Sequence, residues 1–303
     1  MKPQCKSVIT LIVSAMFLFA GMGLCQEGSE GKGGSAEWTK VIDSKVSEKI
    51  GDKGLVNFEE GYIEAVGIGA PPEQFYGKPQ ARPMALRAAQ VDAYRNLLET
   101  VQGVQIDSAT TVKDFVVESD VINAKVSGLV KGAAVMNKTY LSDGTVEVTV
   151  RMPLSGLAKA VIPQAIADDK KADMKEHKPV PFSKKPAPAD EVYTGLVIDA
   201  RGFQARPAIS PKIFDENGAE VYGTLIVKRE YAIQQGISGY ARDLTSAQSN
   251  PRVTDNPMTV KAVGAEGVGK TDFKISNEDA KNIRAAKQNL SFLQKCRVMI
   301  VLD

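Results

Sequence analysis

The stretch Ala81 to Gln102, ARPMALRAAQVDAYRNLLETVQ, constrains the fold of this chain more than any other. At helical spacing Leu86, Ala89, Ala93, Leu97 and Val101 fall on one stripe, while Arg87, Gln90, Arg95, Glu99 and Gln102 fall elsewhere on the cylinder. The pattern predicts an amphipathic helix of about six turns. Pro83 suits its first turn, Ala, Leu and Arg favour its interior, and Gly103 suits a left-handed position just past its end. Small residues in the apolar stripe let a flat partner approach closely, and strand-like runs on both sides supply one. The helix is therefore expected to lie across a sheet. It carries no Ser, His or Cys that could act as nucleophile or ligand.

A chain of 303 residues is long for one small core. The expected architecture is α+β, with two small sheet-and-helix domains joined by a charged, Pro-rich linker. Residues 1–25 read as a signal peptide, 26–50 as a flexible spacer and short helix, 51–165 as the first α+β domain, 166–190 as the linker and 191–303 as the second α+β domain. Within the linker, residues 167–190 carry many charges and four prolines, a composition that cannot bury a core.

The export reading rests on Lys2 and Lys6, the apolar run from Val8 to Leu24, and the small residues Gly21 and Gly23. The run is short for a spanning helix, which needs about 20 apolar residues. Cys25 is a candidate lipidation site. A lipoprotein signal, however, has a small residue just before the modified Cys, and here that residue is Leu24. Ordinary cleavage after Gly23 or Cys25 is the favoured reading over lipidation at Cys25. The first 25 residues hold two lysines and no acid, so the remainder balances 36 basic against 36 acidic side chains. That balance does not supply the Lys and Arg excess that phosphate-backbone capture needs, so no nucleic-acid partner is expected. Cys296 is the one thiol left in the mature chain, which excludes an internal disulfide framework and reads as a buried strand residue.

In chain order, Trp38 to Lys49 suggests a short helix, and Leu55 to Phe58 and Tyr62 to Ile68 are strand-like. Val104 to Val112 reads as a strand, whereas Phe115 to Val130 fits either helix or strand. Ala133 to Leu141 and Val146 to Met152 form a hairpin across Asp143 and Gly144, and Leu154 to Ile162 a closing helix. In the second domain Val192 to Ala200 is a buried strand, Ile213 to Val221 a hairpin, Leu225 to Val227 a strand and Arg229 to Gln235 a helical turn. Leu244 to Pro257 reads as a polar surface loop. Met258 to Val263 and Asp272 to Ile275 are strands, Ser276 and Asp279 cap a helix running through Lys287, and Cys296 to Asp303 is apolar enough for an interior strand.

Gly264, Gly269, Lys270 and Thr271 in GAEGVGKT match every fixed position of a phosphate-binding loop, and VMIVLD at the end of the chain imitates the magnesium-holding strand of such enzymes. A nucleotide-binding enzyme is the alternative function this raises. Context argues against it, because such a loop opens a helix whose dipole and free amides hold the anion, and here DFKIS alternates like a strand. The expected structure is a glycine-rich hairpin turn. Glu59 with Glu60, and Asp168 with Asp169, do not form a matched acid and base, and His177, the sole histidine, falls in the linker. No catalytic residue, metal ligand or cofactor is expected.

The segments ALRAAQVDAYRNLLETVQGVQIDSATTV, ESDVINAKVSGLVKGAAV and DGTVEVTVRMPL resemble the Lpp-twenty family of bacterial twenty-kilodalton lipoproteins, and are similar to the N-terminal domain of the flagellar assembly protein T family. The resemblance spans Gly61 to Ile162 and rests on Ala85, Ala89, Asp92, Ala93, Arg95, Leu98 and Gly103, with Gly128 and Gly132. YTGLVIDARG and the hairpin after it look like the part that follows this domain in related exported proteins. The resemblance implies a Gram-negative periplasmic or outer-membrane-associated location and a non-enzymatic role in surface or flagellar assembly. Implied partners are other envelope proteins, flagellar or outer-membrane components, with membrane contact only through a signal or lipid anchor. The family has no catalytic residues to carry over.

Overall fold

In the computed structural model the described residues are 34–176, 180–184 and 192–303. The expected signal peptide, Cys25, the spacer up to residue 33, residues 177–179 (His177 among them) and 185–190 of the expected linker, and Glu191 lie outside them. The first half contains helix α1 (Gly34–Ser44), strands β1 (Ser47–Ile50), β2 (Gly54–Asn57) and β3 (Tyr62–Gly69), helices α2 (Ala81–Gln102), α3 (Val112–Glu118) and α4 (Asp120–Lys131), strands β4 (Ala134–Tyr140) and β5 (Val146–Pro153), and helix α5 (Leu154–Glu176). Its strands make an antiparallel sheet in the order β1-β2-β3-β5-β4.

Helix α2 lies across this sheet and buries Ala85, Ala89, Ala93, Leu97, Thr100 and Val101. Small residues meet from both sides, since a Cβ on Gly67 or Gly69 of β3 would overlap the backbone of α2 at Ala89 and Ala93. Asp92, on the flank of the helix, accepts the Ile68 amide at 2.9 Å and faces Lys53 Nζ at 3.0 Å. Asn96 donates to Val66 O at 2.7 Å. These bonds fix the helix to β3 along its length. Ala85 takes the fully buried place expected of Leu86, which is only partly covered. Gly103 is not left-handed: its φ is −80°. Glycine is needed there for space, because a Cβ would lie 2.6 Å from Ile50 Cγ2.

The stretch read as a strand at Val104 to Val112 is a loop closed by a lone bridge between Gln105 and Thr111. Local polar groups win over β propensity here. Asp107 Oδ1 accepts the amides of Ala109 and Thr110 at 2.9 and 2.8 Å, and Asp114 accepts the Thr111 amide at 2.7 Å, which starts α3. Ser119 then caps α4, so Phe115 to Val130 is helical on both sides of a single break. The β4–β5 hairpin forms as the sequence predicts. Helix α5 continues well past Ile162 into the expected linker, carrying Pro163 inside it and burying Ala165 and Ile166.

The second half contains β6 (Gly195–Asp199), β7 (Ile213–Asp215), β8 (Glu220–Tyr222), α6 (Arg229–Gln235), β9 (Gly239–Ala241), α7 (Leu244–Gln248), β10 (Pro257–Glu266), β11 (Asp272–Ile275), α8 (Asn277–Arg284), α9 (Lys287–Gln294) and β12 (Val298–Val301). The seven strands run in the order β8-β7-β11-β10-β6-β12-β9, and β10, β6, β12 and β9 are parallel neighbours. The near-continuous burial of β6 and β12 follows from this central parallel position. Leu225 to Val227 is a turn, not a strand, and the expected helix through Lys287 breaks after Arg284. Leu244 to Pro257 is not simply a surface loop. Asp243 caps the short α7 through the Ser246 amide at 2.7 Å, and Ala247 and Val253 are fully buried.

The fold is thus α+β with two sheets. One contiguous buried cluster runs through both, and α5 packs on α4 of the first half and α6 of the second. At the junction Ile209 N and Ser210 N donate to Gln105 O and Ile106 O at 3.0 and 2.6 Å, and the rings of Phe58 and Tyr240 meet edge to face at 5.7 Å. Arg242 donates to Ile42 O and Lys45 O at 2.8 and 3.0 Å, so a side chain of the second half caps the last turn of α1. Among the described residues no helix is long and apolar enough to cross a membrane.

Candidate functional site

The phosphate-loop-like segment is the turn between β10 and β11. Gly264 lies within β10, Gly267 and Lys270 have φ of +82° and +51°, and Thr271 leads directly into β11. With no helix after it, the segment lacks the dipole and the row of free amides that grip a phosphate. Its backbone groups have other work: the Gly269 amide donates to Ser108 O at 3.1 Å, and the Lys270 carbonyl accepts the Arg206 amide at 3.2 Å. Thr271 is buried, Lys270 is exposed, and Val268 at the tip is 97% exposed. Asp272 beyond it accepts the Lys212 amide at 2.9 Å, and burial raises its pKa despite that bond. The structure therefore uses these residues as a corner that docks on the loop 105–111. Asp303, which ends the stretch VMIVLD just past β12, accepts the Gly202 amide at 3.0 and 2.8 Å through its two oxygens.

Other sequence candidates are distributed without forming a reacting pair. Glu59 is tied to Lys45 Nζ at 2.9 Å and to the Val46 amide at 3.2 Å, while Glu60 is exposed. Asp168 accepts from Gln164 at 2.9 and 3.0 Å. Cys296 is buried, but in the turn before β12 and not in the strand, with φ of +54°. Burial pushes its thiol up to about 11, which makes it a poor nucleophile.

What sequence reading misses is a cavity of about 430 Å³ at the junction of the halves. The turn Phe58–Gly61, the first turn of α5 at Leu154, Ser155 and Ala158, and Ile209 form one side; the end of α6, strand β9, Asn250, Arg252 and Met299 form the other. Arg252 is its central polar group. Nη1 donates to Cys296 O at 2.9 Å and Gly236 O at 3.3 Å, and Nη2 donates to Gln235 O. The side chain crosses Gly239, where a Cβ would lie 3.0 Å from Arg252 Nε. Among the described residues no carboxylate pairs with it. Burial lowers its pKa from the ordinary arginine value. Tyr240 lies in the same wall, exchanging hydrogen bonds with Ala208 N and O at 2.9 and 2.8 Å, and burial raises its pKa. No spacing or motif marks Arg252, because its partners at 235, 236 and 296 come together only on folding.

A second exposed feature is the edge of the first sheet. Among the described residues strand β4 pairs with β5 alone, and Met136, Tyr140 and the following Leu141 are exposed. A bulge near Met136 bends the strand.

No curated protein matches the chain. Residues 195–303 match the family model described as the second domain of Treponema pallidum Tp0624. That match opens at the first residue of β6 and takes in all seven strands of the second sheet, so this half of the chain is similar to that domain.

Proposed function

We propose that this chain is a non-enzymatic protein of the cell envelope, exported and processed at its N-terminus, that acts in surface or flagellar assembly by binding other envelope proteins. The observation that carries the reading is β4, an edge strand with exposed Met136 and Tyr140 whose outer side meets no further strand among the described residues. An extended segment of a partner adds to such an edge through main-chain hydrogen bonds, with alternate side chains supplying specificity. The Lys-flanked apolar N-terminus and the resemblance of Gly61 to Ile162 to exported lipoprotein and flagellar domains support the compartment.

The test combines cell fractionation, the mass of the mature N-terminal peptide, and a photo-crosslinker placed at Met136 or Tyr140. The expected result is a processed chain in the envelope fraction, cross-linked to an envelope protein from β4 and not from an exposed control position such as Lys281. Unprocessed chain in the cytosol, or equal labelling from both positions, would overturn the reading.

A further inference from the structure

We propose that the cavity between the halves binds a small organic carboxylate with an apolar body, and that Arg252 is its counter-ion. Arg252 is half-buried, and a guanidinium on a cavity wall that is held by neutral carbonyls, with no carboxylate paired to it among the described residues, presents a positive charge that an anion entering the cavity would neutralise. Among the described residues its guanidinium donates to the carbonyls of Gln235, Gly236 and Cys296. Those bonds also hold the fork in one orientation, so little freedom is lost when a carboxylate arrives.

The rest of the lining fits such a ligand. Phe58, Leu154, Ile209, Ile233 and Met299 provide apolar wall, and the volume of about 430 Å³ lies in the range of small-molecule sites. The first turn of α5 borders the cavity and contains no acidic residue, so its positive end adds to the field of Arg252. Two carboxylates also line the cavity. Glu59 is neutralised by Lys45, and Glu60 is exposed and screened by solvent. The site favours a single negative charge at the Arg252 end over a phosphate, whose larger charge would need further cations.

The experiment is calorimetric titration of the full chain with octanoate, its neutral match octanamide, and N-acetylphenylalanine as the carboxylate of a peptide end. Octanoate or N-acetylphenylalanine is expected to bind saturably, and octanamide at least about tenfold more weakly than octanoate. The tighter of the two acids names the source of the carboxylate. Arg252→Gln should abolish the preference for acid over amide. Because that change also removes three backbone contacts, Ser155→Glu is the second variant: it adds a negative charge at an exposed rim position and should weaken acid binding by a similar factor. Absence of saturable binding by both acids, equal binding of octanoate and octanamide, or unchanged acid binding in Ser155→Glu would overturn the proposal.

Discussion

Arg284 Nη1 lies 2.8 Å from Asp215 Oδ2, joining α8 to β7 at side-chain exposures of 10% and 5%. Asp215 also accepts the amides of Asn217 and Ala219 at 3.0 and 2.9 Å, which closes the β7–β8 turn. Arg284→Met should leave this carboxylate buried without its counter-ion and destabilise the chain by about 3–5 kcal/mol. Urea denaturation of the two proteins measures the difference. A loss below about 1 kcal/mol would mean that the pair contributes no more than an exposed one.

The same carboxylate makes stability depend on acid. Burial pushes the Asp215 pKa up, but the hydrogen bond from Arg284, the Ala219 amide and the charge of Arg284 outweigh it and hold the folded value below the ordinary one. With the folded pKa depressed, the contribution is complete above the unfolded value of about 3.9 and is lost as pH falls through the folded value. Between about pH 5 and pH 2 the stability of the parent should therefore drop more steeply than that of Asp215→Asn.

At the β10–β11 corner, two residues of the glycine motif should respond in opposite ways. Gly267 has φ of +82° and leaves no room for a Cβ against Ser108, so Gly267→Ala should cost about 1–3 kcal/mol. Lys270 is exposed with φ of +51°, and Lys270→Gly should be neutral or stabilising by a few tenths of a kcal/mol. Thermal melts of the two variants check this. A large loss on changing Lys270, with none at Gly267, would contradict the docking role of the turn.

Helix α1 is fastened by Trp38, whose Nε1 donates to Glu64 Oε1 at 2.7 Å beneath a small apolar cluster with Leu55 and Val66. Glu64 Oε2 also faces Arg151 Nη2 at 2.6 Å. Trp38→Phe should leave the carboxylate one donor short, at a cost of about 1–3 kcal/mol. As Trp38 is the sole tryptophan, its fluorescence reports on α1 directly. Its transition in denaturant should coincide with that of far-UV circular dichroism, and an earlier fluorescence transition would show α1 leaving before the rest unfolds.

Much of the backbone was legible because its causes are local. The span of α2, the hairpin at Asp143 and Gly144, the Ser276 cap and the glycine turn before β11 each depend on periodicity or on turn chemistry within a few residues. The errors arose where nearby polar side chains compete with propensity. Asp107 and Asp114 turned a Val- and Thr-rich stretch into a loop and a helix start, and Asp243 began a helix in a segment that reads as loop. The charged end of α5 misled for a related reason, because composition registers charge but not the neighbours that Ala165 and Ile166 find.

The sequence by itself determined the α+β class, the alanine face on which α2 meets β3, and the strand that follows Thr271, since 3.6- and two-residue periods are written into the chain. Tertiary structure alone decided why Gly103 is a glycine, which loop receives Gly269, and that Arg252 stands in a cavity among the carbonyls of Gln235, Gly236 and Cys296. Each of these depends on atoms far apart along the chain, whose distances exist only once both sheets close around a common core.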